Sequence, residues 1–349
     1  VNTAPQRPPP PPLDPRRRVE DIGRHLASHG ARVHFQPVVG HRAAAGPVAL
    51  TCLVAATVGL LGLLAPLTAV AVLLALLMGA MRDVDGGQGW LRHLMPRRPG
   101  WVAEITLAVP TGTPAPGATT PTLLLWAPVA GRSPRRVGAP AVARLLLAIP
   151  ALLGLVVLLG LPLVHSLAPP LGRAMVLGGS LGLALCGLLS PVLLWPGAPL
   201  PPAADPATWV LPLARRLSRR PLRGVRLVLA IGSEGSTWHD DLGEALRGRR
   251  HILDPERTVV LAVTPGRGPL AAVEREGIVV TRPAPAALVQ ALREADFPLT
   301  HGRTAAARAR RSGFSAIGLL GTEHEAGRGP ERLESALRSI ARHLAPETP

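Results

Sequence analysis

Polar and apolar positions divide the chain into blocks. Residues 1–15 form a polar, Pro-rich arm with no periodicity, which predicts disorder. From Arg16 to His29 the apolar residues Val19, Ile22 and Leu26 recur at helical spacing, and Gly30 supplies a stop. Arg32 to Val39 reads as a strand. Gly46 to Met81 is almost wholly apolar and carries no charge. One helix of that length would measure about 50 Å, against a hydrocarbon core of about 30 Å. Ala65-Pro66 divides the run, so two short antiparallel spans are expected, Val48 to Leu64 and Leu67 to Met81. A re-entrant hairpin and a buried soluble hairpin are the alternatives. Residues 82–139 return to polar, Pro/Gly-rich sequence with two expected strands, Val102 to Val109 and Thr122 to Trp126. A third apolar span, Ala141 to Leu167, contains Pro150 and Pro162. A fourth, Met175 to Trp195, holds glycines and other small residues that allow helices to pack closely.

Beyond Pro201 the pattern is that of a soluble α/β domain. A helix is expected over Thr208 to Arg219, with Pro212 a difficulty in its interior. The run from Val225 to Ile231 reads as a strand buried on both faces. A helix near Asp240 to Arg249 follows, then strands at Thr258 to Val263 and Gly277 to Thr281. Ala284 to Ala295 reads as a helix, Phe314 to Leu320 as a strand, and Pro330 to Leu344 as a last amphipathic helix. Alternating strands and helices imply an α/β class. The expected organisation is an arm (1–15), the first part of the soluble domain (16–46), an apolar hairpin (47–81), strands and a loop (82–140), a second apolar hairpin (141–195), and the main part of the soluble domain (196–349).

Charge sharpens this picture. The net charge is +16, and all 38 basic residues are arginine. With 40 Pro and 37 Gly, the absence of lysine points to base composition in the genome as much as to a polyanionic partner. If the four apolar runs span a membrane, most arginines outside the last domain, from Arg16 to Arg144, flank one side, and only Arg173 falls on the other. The positive-inside rule then places the soluble parts in the cytoplasm, with the lipid bilayer as the first partner. Aromatic residues are 3%, too few for stacking on single-stranded nucleic acid, which argues against that partner. A basic adaptor for membrane surfaces remains an alternative. Cys52 and Cys186 sit inside apolar runs and read as buried hydrophobes, with neither disulfide nor zinc spacing. The polar start VNTAPQRPPPPPLDPRRR predicts no cleavable signal peptide.

Candidate chemistry centres on GVRLVLAIGSEGSTWHDDL, Gly224 to Leu242. A buried strand runs into Gly232-Ser233-Glu234-Gly235, with a carboxylate between glycines. Ligands in open α/β sheets bind at such carboxyl ends of strands. A solvated loop acid is the simpler reading of Glu234. There is no P-loop, Rossmann glycine fingerprint, nucleophile elbow or H-E-x-x-H.

The order of LVLAIGSEGS, LDPERTVVLAV, HGRTAAARARRSGFSAIGLLG and GPERLESAL resembles metallopeptidase family 28. These are the di-zinc aminopeptidases related to glutaminyl cyclases. The chain looks especially like the membrane-bound bacterial members whose peptidase domain carries transmembrane insertions. The resemblance runs from about Arg16 to Leu344. It implies a mixed sheet flanked by helices, with about four transmembrane helices inserted. It also implies two zinc ions bridged by one carboxylate, which orient and acidify a water.

Carried onto this chain, the ligand pattern is incomplete. The H-x-D strand looks like TLLLWAPVAG, with Ala127 and Val129 at the His and Asp positions. The A-N-D-N motif looks like Ala203 to Thr208, with Asp205 as the bridging acid. The Glu-Glu pair falls on Ser233, at the general-base position, and Glu234, at the ligand position. The later Asp falls on Ala262, and the late His on His324. The resemblance therefore implies loss of one metal site and survival of Asp205, Glu234 and His324, enough side chains for one zinc with an open position, or for none. Asp205 before Pro206 also fits a helix cap, and His324 between two glutamates a solvated loop. The expectation is a multi-pass protein of the cell membrane with a degenerate peptidase-like domain. It would bind or scaffold a peptide or protein partner rather than hydrolyse it. The alternative is a membrane-bound hydrolase working with a single zinc.

Overall fold

A computed structural model describes residues 15–28, 31–41, 45–84, 97–106, 120–129, 139–193, 206–232, 241–249, 252–264, 269–276, 281–302, 304–321 and 329–344. The chain begins with α1 (Pro15–Ala27) and β1 (Arg32–His41), followed by α2 (Ala45–Leu61) and α3 (Pro66–Val84). Next come β2 (Arg97–Thr106), β3 (Thr122–Pro128), α4 (Ala139–Ser166), α5 (Pro169–Leu193) and α6 (Pro206–Arg219). The remainder alternates β4 (Arg226–Gly232), α7 (Asp241–Gly248), β5 (Thr258–Thr264), β6 (Ala271–Glu276), β7 (Arg282–Pro283), α8 (Ala286–Glu294), β8 (Leu299–Gly302), α9 (Ala306–Arg311), β9 (Ser315–Leu320) and α10 (Gly329–Leu344).

One nine-stranded mixed sheet joins the soluble segments in the order β1-β2-β4-β3-β5-β9-β6-β7, with β8 beside β6. Strands β4, β3, β5 and β9 are mutually parallel. Side chains alternate across this centre. Leu123, Leu125 and Ala127 of β3 join Leu227, Leu229 and Ile231 of β4 under α1, α6, α8 and α10. Leu124, Trp126, Val228, Ala230, Val260 and Ala262 face α7 and α9. Both faces are apolar because both are covered, the condition for a parallel sheet. The expected α/β class, with a mixed sheet flanked by helices, is therefore borne out.

Several elements depart from expectation. Pro212 lies inside α6 without ending it, exposed on the side away from the core. The strand expected at Gly277 to Thr281 falls mostly outside the described residues; the chain instead pairs just before it, as β6. β8 and α9 were not anticipated, since LTHG has no periodicity and AARARR is only six residues long.

The apolar runs form four helices that pack on one another through Ala55, Ala56, Ala69, Leu73, Leu76, Val157, Leu161, Val176 and Leu183. Glycines set the spacing. A Cβ on Gly172 of α5 would lie 2.4 Å from the Val164 backbone nitrogen of α4, and one on Gly179 2.6 Å from the Val157 side chain. Two stretches are long and apolar enough to cross a membrane, Ala148–Ser166 and Pro169–Leu189; Ala49–Leu61 and Pro66–Gly79 are shorter. The helix that covers the fourth run starts at Pro169 rather than Met175 and carries Arg173 exposed within its first turns.

Connectivity fixes where this bundle joins the sheet. The ladder of β1 with β2 runs on to His41↔Arg97, whereas β2 pairs with β4 only from Val102, opposite Gly232. The last part of the β1–β2 hairpin thus projects as a two-stranded ribbon past the carboxyl end of β4, and α2–α3 is inserted at its tip. The α4–α5 insertion leaves from the carboxyl end of β3 and returns to α6, which runs antiparallel to β4. Both insertions therefore leave from the carboxyl edge of the parallel strands.

Candidate functional site

The carboxyl edge is also where the expected chemistry falls. β4, β3, β5 and β9 end side by side at Gly232, Pro128, Thr264 and Leu320. Val129 N donates to Gly232 O at 2.8 Å, and Gly321 N to Thr264 O at 3.2 Å, which ties neighbouring strand ends together. The strands assigned to the H-x-D motif, the Glu-Glu pair and the later Asp are thus β3, β4 and β5, adjacent in the sheet.

Asp205, Ser233, Glu234 and His324 lie outside the described residues. Their chain neighbours are described. Pro206, next after Asp205, opens α6; Gly232, just before Ser233, closes β4; Gly321 and Gly329 bracket the stretch that contains His324. The first turn of α6 meets the start of α10 directly, since a Cβ on Gly329 would come within 2.8 Å of the Trp209 ring. The start of α6, just after Asp205, and the start of α10 thus lie at the same edge.

The described positions are filled by apolar groups. Ala127 and Val129 are buried among the side chains under α1, α6 and α10. Ala262 is buried on the opposite face, beside Trp126. The fold does not bring Ala127 and Ala262 together, because residues of the two strands that alternate out of register point to opposite sides of the sheet. Trp126 fills the space over the end of β4, so that a Cβ on Gly232 would lie 2.4 Å from its ring. Among the described residues there is no group of three His, Cys, Asp or Glu side chains placed to hold a metal ion.

Two ionic nodes, one half-buried and one buried, escaped sequence reasoning. Glu104 on β2 faces α7. Arg249 Nη2 stands 3.0 Å from Glu104 Oε2, while Arg249 Nε donates to Gln36 Oε1 at 3.3 Å. The ion contact lacks hydrogen-bond alignment. Burial accordingly pushes the Glu104 carboxyl above the usual 4.5, against the weaker pull of Arg249, His34 and Arg226. The second node lies between β6 and α9. Glu276 accepts from the Thr304 hydroxyl and, at 2.5 Å, from Arg310 Nη2, while Arg310 Nη1 donates to Ala316 O at 3.0 Å. Thr304 Oγ1 also accepts from Ala306 N at 3.2 Å, holding the start of α9. In sequence Glu276 sits in VEREG and looks like any surface acid; only the pairing of β6 with β8 and β9 buries it. Both nodes tie helical segments to the sheet: the Glu276 node lies toward the amino edge, whereas Glu104, opposite Ala230, and Gln36, opposite Val102, stand beside the carboxyl end of β4.

No model of a known protein family matches the chain, and no curated protein matches it.

Proposed function

We propose that this chain is a multi-pass protein of the cell membrane. Its cytoplasmic α/β domain is a catalytically silent relative of the family 28 aminopeptidases, working as a binding or scaffolding module for a peptide or protein. The observation behind this reading is the filling of the strand ends. Strands β3, β4 and β5 lie side by side, and Ala127, Val129 and Ala262, which fall at ligand positions on the resemblance, pack as core. Replacing a ligand and a base removes both the second Lewis acid and the proton acceptor, each worth orders of magnitude in rate.

Four membrane spans accord with the inverted surface of the bundle. Among the described residues, every exposed large apolar side chain except Ile252 lies between Leu53 and Leu189. α4 and α5, of 28 and 25 residues, exceed the roughly 20 needed to cross. α2 and α3, of 17 and 19 residues, reach about 25 and 28 Å, which a locally thinned bilayer accommodates. The carboxyl edge then faces the headgroups.

Purified full-length protein, assayed on a panel of aminoacyl-nitroanilides with and without added zinc, is expected to show no turnover above a denatured control. Robust zinc-dependent hydrolysis that disappears in Asp205→Ala would contradict the proposal. A second reading, a hydrolase with one zinc on Asp205, Glu234 and His324, draws support from the shared edge at which Pro206, Gly232, Gly321 and Gly329 lie. It predicts slow turnover lost equally in Glu234→Ala and His324→Ala.

A further inference from the structure

The edge opposite the apolar bundle is strongly basic. Helices α1, α6 and α10 each precede or follow a strand so that their carboxyl ends converge at the amino edge of the parallel sheet. Arg215 Nη2 donates to His25 Nε2 at 3.3 Å, joining α6 to α1, and Arg338 Nη2 donates to Arg220 O at 2.6 Å, joining α10 to the end of α6. Around these contacts stand Arg24, Arg215, Arg219, Arg220, Arg223 and Arg342, all exposed. Glu20 and Asp21 take Arg24. Arg219, Arg220, Arg223 and Arg342 have no carboxylate partner among the described residues.

Membrane topology does not account for this cluster. On the proposed orientation it lies a full strand away from the bilayer. The seven residues of β4 span about 23 Å, nearly three Debye lengths of about 8 Å at physiological salt. Base composition explains why the cations are arginine, not why three separate chain segments bring them to one pole. Helix dipoles explain some: three carboxyl ends supply about half a negative charge each. That is too little for the arginines present, and Arg220 and Arg223 lie outside the helices.

We propose that this pole, formed by Arg24, Arg215, Arg219, Arg220, Arg223 and Arg342, docks an acidic peptide segment of a protein partner. Three neighbouring helices 8–10 Å apart make a surface about 20 Å across. Arginine forks take carboxylates singly and bidentately at short range. The helix carboxyl ends weaken the long-range field on which a nucleic-acid duplex depends, and no aromatic side chain among the pole's residues offers a base a stacking face.

The site assignment rests on the fold alone; only its distance from the lipid rests on the membrane reading, so the test uses full-length protein in detergent micelles. A fluorescein-labelled oligoglutamate and a labelled DNA duplex of equal charge are titrated by anisotropy at about 0.15 M salt, where exposed charges are already screened. Oligoglutamate is expected to saturate and to bind at least 10-fold more weakly to the triple variant Arg219→Ala, Arg220→Ala, Arg223→Ala. The Lys triple variant should recover part of that loss. Removing Arg282 and Arg293 at the far side of the sheet should leave binding unchanged. Absence of oligoglutamate binding, tighter binding of the duplex, or equal losses in the distal control would each overturn the proposal. A failure of membrane integration, measured separately, would leave these titrations interpretable.

Discussion

The sheet domain and the helix bundle are built from the same apolar residue types, arranged inside out relative to each other. In the sheet, Leu123, Leu125, Leu229, Ile231 and Leu261 are fully buried, and the arginines stand outside. In the bundle, Gly172, Gly179, Gly182 and Ala69 are at the contacts, while Leu152, Leu177, Leu181 and Leu188 point outward. Water drives the first arrangement, because burying a leucine side chain removes about 1.5–3 kcal/mol of unfavourable exposure. It does not explain the second. In lipid an outward leucine costs nothing, and close contact between small residues supplies the association energy. On the proposed membrane reading, two solvents thus leave two signatures in one chain.

The sharpest way to break this comparison is a matched truncation. Leu229→Ala in β4 should destabilise the sheet domain by about 2–5 kcal/mol, the usual range for a buried leucine. Leu181→Ala, at a position 64% exposed on α5, should leave thermal stability in micelles nearly unchanged. Equal losses would mean that the bundle surface is buried against protein. A charge comes next. Leu181→Arg should cost about 2.5–3.5 kcal/mol of membrane insertion, read as loss of chain from the membrane fraction. On a water-exposed surface the same change would stay within about 0.5 kcal/mol. Gly172→Val should loosen the contact of α5 with α4 by about 1–3 kcal/mol, because the added carbons meet backbone at Val164. Proteolysis in micelles would reveal it as cleavage near the α4–α5 turn.

The smallest effect probes the sheet's ionic node. The Glu104 carboxyl is held above 4.5 chiefly by burial, so protonation is favoured in the folded state. That contribution to stability is present below about 4.5, its usual value, and is lost as pH rises through the raised pKa. Glu104→Gln, which cannot ionise and keeps an acceptor for Arg249, should therefore gain stability relative to the native protein between about pH 4.5 and 7. Melting temperatures across that range would show it. A difference independent of pH would contradict the assignment.

Much of the fold was legible because its main elements are long and periodic. Val225 to Ile231, broken only by Arg226, and the apolar runs that follow Thr122 and Thr258 are each a central strand. The helices α1, α6, α8 and α10 were anticipated from spacing. What failed were elements whose stability comes from neighbours. β6 reads AAVERE and β8 reads LTHG, and neither has an apolar pattern of its own. β6 pairs with β8 and β9, and that pairing buries Glu276 against Thr304 and Arg310, residues up to 34 positions away. The ribbon of β1 and β2 beyond Val102 was missed for the same reason: Arg97 to Gly100 has no strand signal apart from its partner. The candidate site was legible only as order along the chain. β4, β3 and β5 are neighbours in the sheet, whereas Asp205, Ser233, Glu234 and His324 lie outside the described residues, and no spacing in sequence fixes their mutual geometry.

The proposed loss of metal chemistry is tested most directly by the metal content of the purified full-length protein, measured by mass spectrometry after equilibration with zinc and removal of excess. The account predicts well under one zinc per chain, with the same value in Asp205→Ala, Glu234→Ala and His324→Ala. A near-stoichiometric zinc that disappears in all three variants would establish a working metal site and contradict it.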